Sequence, residues 1–177
     1  YHFILNKPRG YITATEDGRD QTVLDLLEER DQNKEVFPVG RLDKDTEGLL
    51  ILTNDGKMAH GLLSPKRHVD KVYYARVAGK MTEEDIKMFA EGITLTDGTK
   101  YAPGKLEIIR SDEESEIYVT IHEGKFHQVK RMVQAVGKEV VYLKRIKMGG
   151  LELPEDLSLG NYRTLTKEEL DLLTQTQ

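Results

Sequence analysis

The 177-residue chain has no cysteine, and it has no apolar run near the roughly 20 residues that a membrane-spanning helix needs. The absence of cysteine excludes disulfides, thiolate metal ligands and cysteine nucleophiles. No secretory signal pattern is present at the start of the chain. We therefore expect a cytoplasmic protein that does not associate with membranes.

Three common kinds of catalytic site also lack support in the sequence. There is no Gly-rich loop of the P-loop or Rossmann type, and no Gly-x-Ser-x-Gly pattern around a serine. The five histidines are scattered, without the spacing that metal ligands on one helix would have. We therefore expect no metal ion.

Charge is unevenly distributed along the chain. The formal net charge is −5, which by itself argues against nucleic-acid binding. Residues 121–150, however, contain seven Lys or Arg and two acidic residues, whereas residues 151–177 contain two basic and six acidic residues. Two interpretations remain open: the basic segment meets phosphate, or its side chains only solvate the surface.

The order of elements predicts an α+β fold. Short β-prone segments outnumber the helical ones and often follow one another, which disfavours a regular βαβ series. Leu49–Thr53 has the pattern of a buried strand, and Phe126–Val136 that of an amphipathic helix. Asn6-Lys7-Pro8-Arg9-Gly10 has the composition of a turn. We expect one domain over residues 1–177, with a large mixed, mostly antiparallel sheet and a few flanking helices.

The stretch GRLDKDTEGLLILTNDG, residues 40–56, places polar residues directly before the Leu49–Thr53 strand. A carboxylate on such a loop has a rigid support and can face a cleft. Asp43 is therefore a candidate catalytic group. The alternative is that Asp43 and Asp45 are ordinary turn residues and that Thr46 is a local cap.

Two further stretches carry candidate residues. EGKFHQVKRM, residues 123–132, opens the amphipathic helix and contains Lys130 and Arg131, which either reach a cleft or are solvated. KVYYARV, residues 71–77, reads as a strand in which Tyr73 and Tyr74 point to opposite faces. An exposed tyrosine can stack on a nucleobase, although most tyrosines in strands only pack.

Together and in this order, these stretches resemble the RsuA-type branch of the pseudouridine synthases. The matching segments are NKPRGYI (6–12), GRLDKDTEGLLILTNDG (40–56), KVYYARV (71–77) and EGKFHQVKRMVQAVG (123–137). The resemblance runs from about residue 2 to residue 165. It implies an isomerase that converts uridine in ribosomal RNA to pseudouridine, with two lobes around a central catalytic cleft.

The resemblance also implies roles for individual residues. Asp43 would be the catalytic aspartate, Tyr73 would stack on the target base and handle a proton, and Lys130 would pair with the aspartate. The residues expected to bind substrate are Arg41, Gln128, Val129 and Arg131, with Val129 lining the pocket and Arg41 near the flipped nucleotide and its phosphate.

The implied reaction needs no cofactor, because pseudouridine is an isomer of uridine. Asp43 could attack C1′ to form a covalent sugar adduct, or it could remove the C2′ proton to give a glycal. Both routes remain open. Either route requires the base to leave its stack, and an ionised Asp43, which a neighbouring Lys130 would favour.

The substrate and partners are expectations from the same resemblance. The HQVKRM segment, residues 127–132, is closer to the enzymes acting on 16S rRNA than to those acting on 23S rRNA. We therefore expect 16S rRNA within a pre-ribosomal particle as the partner of a bacterial, monomeric enzyme. The alternatives are a 23S rRNA enzyme of the same branch and a non-catalytic RNA-binding assembly factor. Members of this branch usually carry an S4-type RNA-binding domain, which we expect upstream of residue 1 and outside this chain.

Overall fold

The computed structural model describes residues 1–174, so residues 175–177 of the predicted domain lie outside the described residues. Eleven strands form within the described part: β1 (His2–Lys7), β2 (Phe37–Pro38), β3 (Glu47–Thr53), β4 (Lys71–Ala78), β5 (Ile93–Thr94), β6 (Lys100–Tyr101), β7 (Lys105–Arg110), β8 (Glu114–Ile121), β9 (Glu139–Met148), β10 (Leu151–Glu152) and β11 (Tyr162–Thr164). The α-helices are α1 (Glu29–Gln32), α2 (Gly56–Leu63), α3 (Glu83–Glu91), α4 (Gln128–Ala135) and α5 (Lys167–Thr174).

Nine of the strands form one large sheet whose path is β11-β1-β3-β9-β4-β8-β7, with β2 and β10 paired at its side. Every pairing is antiparallel except that of β3 with β9. The predicted α+β class, with a mixed and mostly antiparallel sheet, is confirmed. Strands β5 and β6 form a separate two-stranded sheet.

The parallel contact between β3 and β9 joins two half-sheets, and its recorded register contains two residue pairs. Gly48 lies at this junction with φ of +112°, a conformation that L side chains rarely adopt. A Cβ atom at Gly48 would lie 2.1 Å from the carbonyl oxygen of Arg145. Only glycine therefore allows the two half-sheets to approach this closely. The expected two lobes correspond to these half-sheets.

Strand β3 is buried on both faces, as its unbroken apolar sequence predicts. Leu50 and Leu52 join the larger hydrophobic cluster, which extends along one face of the sheet to β4, β8 and α4. Leu49 and Ile51 join a smaller cluster on the opposite face. The strand that follows the Asp43 loop is thus held between two cores, which makes it a rigid support.

Helix α4 begins at Gln128, two residues later than the helix predicted over Phe126–Val136. His127 adopts a left-handed conformation with φ of +49°, so the segment before it cannot continue the helix. Phe126 is 72% exposed, whereas Val129 and Met132 are buried against the sheet. The turn at His127 therefore aims the start of α4 at the junction of the half-sheets.

No helix in residues 1–174 is long and apolar enough to cross a membrane.

Candidate active site

A cavity of about 840 Å³ lies where the loop before β3, strands β4 and β9, and the segment before α4 meet. The charged side chains that line it are Arg41, Asp43, Lys44, Lys71, Glu123, Lys125, Lys130 and Arg145. Six of these eight are basic, although the chain as a whole carries a net charge of −5. The basic segment 121–150 thus contributes to a cavity that favours an anionic ligand.

Asp43 and Lys130 form an ion pair at this cavity. The Asp43 Oδ2 and Lys130 Nζ atoms are 3.1 Å apart, and the two side chains are 27% and 23% exposed. Asp43 comes from the loop before β3 and Lys130 from the first turn of α4, so tertiary packing alone brings them together. Asp43 therefore has a fixed partner and still faces the cavity.

Lys130 is shared between two carboxylates. Its Nζ atom also donates to Asp45 Oδ1 at 2.6 Å. The hydrogen bond from Lys130 lowers the pKa of Asp45 below its usual value, against the opposing effect of burial. Burial disfavours the Lys130 ammonium, but hydrogen bonds to Asp45 and Asp43 outweigh it and raise the pKa of Lys130. The sequence assigned Asp45 only to the shape of the loop, and the structure gives it a share in this pair.

His127 is the third group at Asp43, with its Nε2 atom 3.3 Å from Asp43 Oδ1. Its ring stacks on Phe126 at 3.6 Å between centroids. The scattered histidines of the sequence, His127 among them, did not predict a functional group. The place of His127 directly before the Gln-Val-Lys segment was the only signal, because the contact depends on the left-handed backbone at this residue. We refer to Asp43, His127 and Lys130, which line the cavity, together with Asp45, which binds Lys130, as the rim.

The loop that carries Asp43 is held from beneath by Lys7. The fully buried Nζ atom of Lys7 donates to the carbonyl oxygens of Thr46 at 2.8 Å, Asp43 at 3.1 Å, Pro8 at 3.1 Å and Lys44 at 3.2 Å. A buried cation that collects several carbonyls restricts the conformation of the segment that bears them. Lys7 therefore positions Asp43 through the backbone.

The prediction of a turn that starts at Asn6 and Lys7 was wrong, because both residues lie in β1. Burial lowers the pKa of Lys7 to about 8, although the nearby charges of Asp45, Asp43 and Glu47 favour the ammonium. The sequence Lys-Pro-Arg-Gly is typical of a turn, and nothing in the neighbouring residues indicates that the lysine is buried. The buried position of Lys7 is explained by its hydrogen bonds to carbonyl oxygens of a loop 36–39 residues further along the chain.

Tyr73 lies on the side of β4 that faces the cavity and is buried, whereas Tyr74 donates to Glu116 on the other face of the sheet. The predicted opposite orientation of the two tyrosines is confirmed. Val129 is buried and lines the same cavity. Lys71 on β4 and Arg145 on β9 also line the cavity and are buried, and we refer to these two residues as the floor.

The remaining predicted residues differ in their relation to the cavity. Arg41 lines it and is exposed. Gln128 also lines it, but its amide donates to Glu123 Oε1 at 3.0 Å and its carbonyl accepts from the Lys125 backbone N–H at 3.2 Å. Arg131 does not line the cavity, since its guanidinium binds Asp97 on the surface at 2.7 Å. The structure therefore brings together Arg41, Asp43, Tyr73, Gln128, Val129 and Lys130, and leaves Arg131 outside.

Within residues 1–174, no group of three or more His, Asp or Glu side chains has the arrangement of a metal site. The chemically useful groups at the rim are a carboxylate held by an ammonium and an imidazole. Such a carboxylate can act as a nucleophile or as a base.

Comparisons with known proteins agree with this geometry. The sequence model of the RNA pseudouridylate synthase family matches residues 1–135. The chain is 52% identical over 177 residues to the RNA pseudouridine synthase YtzG of Bacillus subtilis, a match that covers 99% of this chain and 74% of that protein. It is 42% identical over 172 residues to ribosomal small subunit pseudouridine synthase A of Escherichia coli, covering 96% of this chain and 72% of the relative.

Solved structures show the same fold. A crystal structure of a pseudouridylate synthase aligns with a TM-score of 0.90 and 39% identity, covering 97% of this chain and 73% of that chain. An archaeal box H/ACA Nop10–Cbf5 complex aligns with a TM-score of 0.62 and 22% identity, covering 90% and 51% of the two chains. The second likeness is one of fold alone.

Proposed function

The chain belongs to the RNA pseudouridylate synthase family and is an isomerase, and we propose that it converts a uridine of small-subunit ribosomal RNA to pseudouridine with Asp43 as the catalytic residue. The observation that carries this proposal is the Asp43 carboxylate at the cavity, 3.1 Å from Lys130 Nζ. Reactant and product contain the same atoms, so the reaction calls for no co-substrate.

The target base must leave its stack to reach Asp43. A cavity of about 840 Å³ has room for one nucleotide, since pockets for small molecules commonly measure roughly 300–1,000 Å³. The ring of Tyr73 provides a face on which the uracil can stack, and Val129 provides an apolar contact. These contacts offset part of the free energy of unstacking.

Asp43 then acts at the sugar by one of two routes. In the first, its carboxylate attacks C1′, the N1–C1′ bond breaks, and the electron pair of that bond leaves with the uracil ring. In the second, the carboxylate removes the C2′ proton while the same bond breaks, which leaves a glycal. In both, the uracil turns and C5 bonds to C1′. In the first route the bond between Asp43 and C1′ breaks as this bond forms, and in the second C2′ takes back the proton that Asp43 removed. C5 then loses its proton and N1 gains one. Lys130 and the Lys7 network hold the carboxylate in position throughout.

RNA affinity comes from the basic side chains at the mouth of the cavity. Arg41, Lys44 and Lys125 are exposed and line its entrance, where the phosphates on either side of a flipped nucleotide would lie. Arg131 does not line the cavity and is therefore not assigned a phosphate. Binding is accordingly expected to weaken as the salt concentration rises.

Small-subunit rRNA is proposed as the substrate because relatives over 40% identical across nearly the whole chain are named for that subunit. The test is to incubate the protein with isolated 16S rRNA, isolated 23S rRNA and a small-subunit assembly intermediate, and then to map pseudouridine at single-nucleotide resolution. We expect one modified uridine in the 16S samples and none in 23S rRNA.

The outcomes separate the alternatives. Modification confined to 23S rRNA contradicts the choice of subunit but retains the chemistry. Tight RNA binding without pseudouridine in any sample contradicts catalysis and favours a binding factor. A salt series on the same samples shows whether the affinity has the electrostatic character that the cavity mouth requires.

A further inference from the structure

Two basic side chains at the floor of the cavity have no part in the chemistry described above. Lys71 begins β4 and is 7% exposed, and Arg145 lies in the middle of β9 and is 3% exposed. Both line the cavity, and Tyr73 and Arg145 are direct neighbours in the β4–β9 register. They are therefore buried from solvent and border the space that the substrate enters.

Neither side chain has an acidic partner among residues 1–174. Within residues 1–174 the Lys71 ammonium has no hydrogen-bond partner, and Asp70 favours it through its charge. Arg145 Nε donates to the carbonyl oxygen of Leu49 at 2.9 Å, while its Nη2 atom is buried without a hydrogen-bond partner. The floor therefore holds two cations with unused donors.

This arrangement is unfavourable in the free protein. Burying a charge without a partner opposes folding, and two like charges side by side add to that effect. Burial, and then the positive charge of Arg145, lower the pKa of Lys71 from its usual value, and Asp70 opposes this only in part. The arrangement becomes favourable when a ligand places electron-rich oxygen atoms at the floor.

The position of the pair selects among the oxygen atoms of RNA. Phosphates belong to the backbone, and the exposed Arg41, Lys44 and Lys125 meet them at the mouth. The group that reaches furthest into such a pocket is the flipped base, which stacks on Tyr73 between the mouth and the floor. We propose that Lys71 and Arg145 are catalytic residues that bind the O2 and O4 oxygens of the uracil and stabilise its negative charge after the glycosidic bond breaks.

This inference rests on the proposed function and extends it from the sugar to the uracil base. When the N1–C1′ bond breaks, its electron pair passes to the uracil ring, and the negative charge is shared among N1, O2 and O4. Donors already aimed at those oxygens need no rearrangement at that moment, which is the condition for strong transition-state stabilisation. The charge is consumed when C5 bonds to C1′, so the pair returns to its unpaired state and the product can leave.

The same pair would also contribute to base selection. Lys and Arg side chains have donors and no acceptors. Uracil presents the acceptor O4 at the position where cytosine presents an amino group, so cytosine would bring donor against donor. The floor is therefore suited to uracil, and cytosine at the same site would leave buried donors unpaired.

The test is the Lys71→Met variant of the full chain, compared with Lys87→Met, the same change at an exposed lysine of α3 outside the cavity. The readouts are the single-turnover rate of pseudouridine formation at saturating enzyme, the Kd for substrate RNA across salt concentrations, and Tm. We expect the Lys71→Met rate to fall about 100-fold with Kd changed less than about 3-fold, because the contact strengthens in the transition state. We also expect its Tm to equal or exceed that of wild type, since a buried unpaired charge is removed.

A second measurement tests the floor independently of the Lys71→Met variant. Arg145→Lys and wild type are assayed on RNA carrying 2-thiouridine or 4-thiouridine at the target, because sulfur accepts hydrogen bonds more weakly than oxygen. At one of the two positions, the thio substitution should slow wild type more than it slows the variant. Effects that are independent at both positions overturn the proposal.

Three other results overturn it. One is a Lys71→Met rate within about 3-fold of wild type, and another is a lower Tm for that variant, which would indicate a structural role. The third is a raised Kd with a reduced salt slope and an undiminished saturated rate, which would assign the pair to a phosphate. Failure of wild type itself to form pseudouridine would contradict the proposed function, and the variants would not be needed to show it.

Discussion

At the rim of the cavity each charged group has a partner of opposite charge, whereas within residues 1–174 the two basic groups of the floor have no such partner. Lys130 is shared by Asp43 and Asp45, and His127 lies against Asp43 on its other side. Lys71 and Arg145 lie beside one another with unused donors. A paired carboxylate is fixed in place before the substrate arrives. An unpaired cation keeps its capacity to bind, and the structure separates these two tasks within one cavity.

Lys7 differs from the cations of both the rim and the floor. It is buried like the floor residues, but four backbone carbonyls occupy its ammonium. Its effect is to hold a loop, and it has no donor left for a ligand. The three kinds of cation therefore lead to three different expectations for the same change, lysine to methionine.

The largest effect is expected at the rim. The change Lys130→Met would leave Asp43 and Asp45 facing each other without the ammonium that holds both carboxylates. We expect the single-turnover rate to fall about 10³-fold, which is typical for the loss of a charged partner of a catalytic group. The assay is pseudouridine formation at saturating enzyme, with Lys87→Met as the matched control. A rate within about 10-fold of wild type would show that the pairing does not matter for the chemistry.

The change Lys7→Met tests the loop support. It would leave the carbonyls of Pro8, Asp43, Lys44 and Thr46 without their shared donor. We expect the free energy of unfolding to fall by about 3 kcal/mol, since each unsatisfied buried group opposes folding. Urea unfolding measures this against Lys87→Met. A loss below about 1 kcal/mol would mean that the loop keeps its shape without Lys7.

Part of the fold and of the site could be predicted from the sequence. The run Leu49–Thr53 predicted a strand buried on both faces, because such strands have no polar side to display. Thr82-Glu83-Glu84-Asp85 has the pattern of a capping box, which predicts a helix from about Glu83, and α3 begins there with the Thr82 side chain accepting from the Asp85 backbone N–H. Asp43, Tyr73 and Lys130 were found through a family resemblance, and the structure brings all three to one cavity.

The buried positions of Lys7 and Arg145 could not be predicted from the sequence. Lys7 was placed in a turn. The β-prone residues near Arg145 suggest two strands, Val140–Leu143 and Arg145–Met148, whereas β9 runs unbroken from Glu139 to Met148. Lys and Arg normally end a buried run, so their burial depends on distant groups such as the carbonyls of the Asp43 loop and the backbone of Leu49. Such partners lie 30 to 100 residues away and leave no local pattern.

The smallest effect concerns a paired charge outside the cavity. Arg163 binds Glu169 through two hydrogen bonds of 2.6 and 2.9 Å. The hydrogen bond from Arg163 is the main cause that lowers the pKa of Glu169 from 4.5 to about 2. The stability that this pair adds is therefore complete above pH 4.5 and is lost as the pH falls towards 2.

We expect Glu169→Gln to lower the free energy of unfolding by about 1 kcal/mol at pH 6, a discounted figure because Arg163 is partly exposed to solvent. The difference from wild type should shrink steadily as the pH falls from 4.5 towards 2, where about half of Glu169 is protonated in the folded protein. Urea unfolding as a function of pH measures both values. A difference that stays constant over the whole range would contradict the ionic origin of the effect.

The most direct measurement for the account as a whole is the rate of pseudouridine formation by Asp43→Asn on the rRNA that wild type modifies, with RNA binding and Tm recorded for both proteins. The substitution keeps the size of the side chain and removes its charge and its capacity to act as nucleophile or base. The account predicts a loss of about 10⁴-fold or more in rate, with the Kd for RNA within about 3-fold of wild type. A variant that forms pseudouridine at a near-normal rate would contradict it.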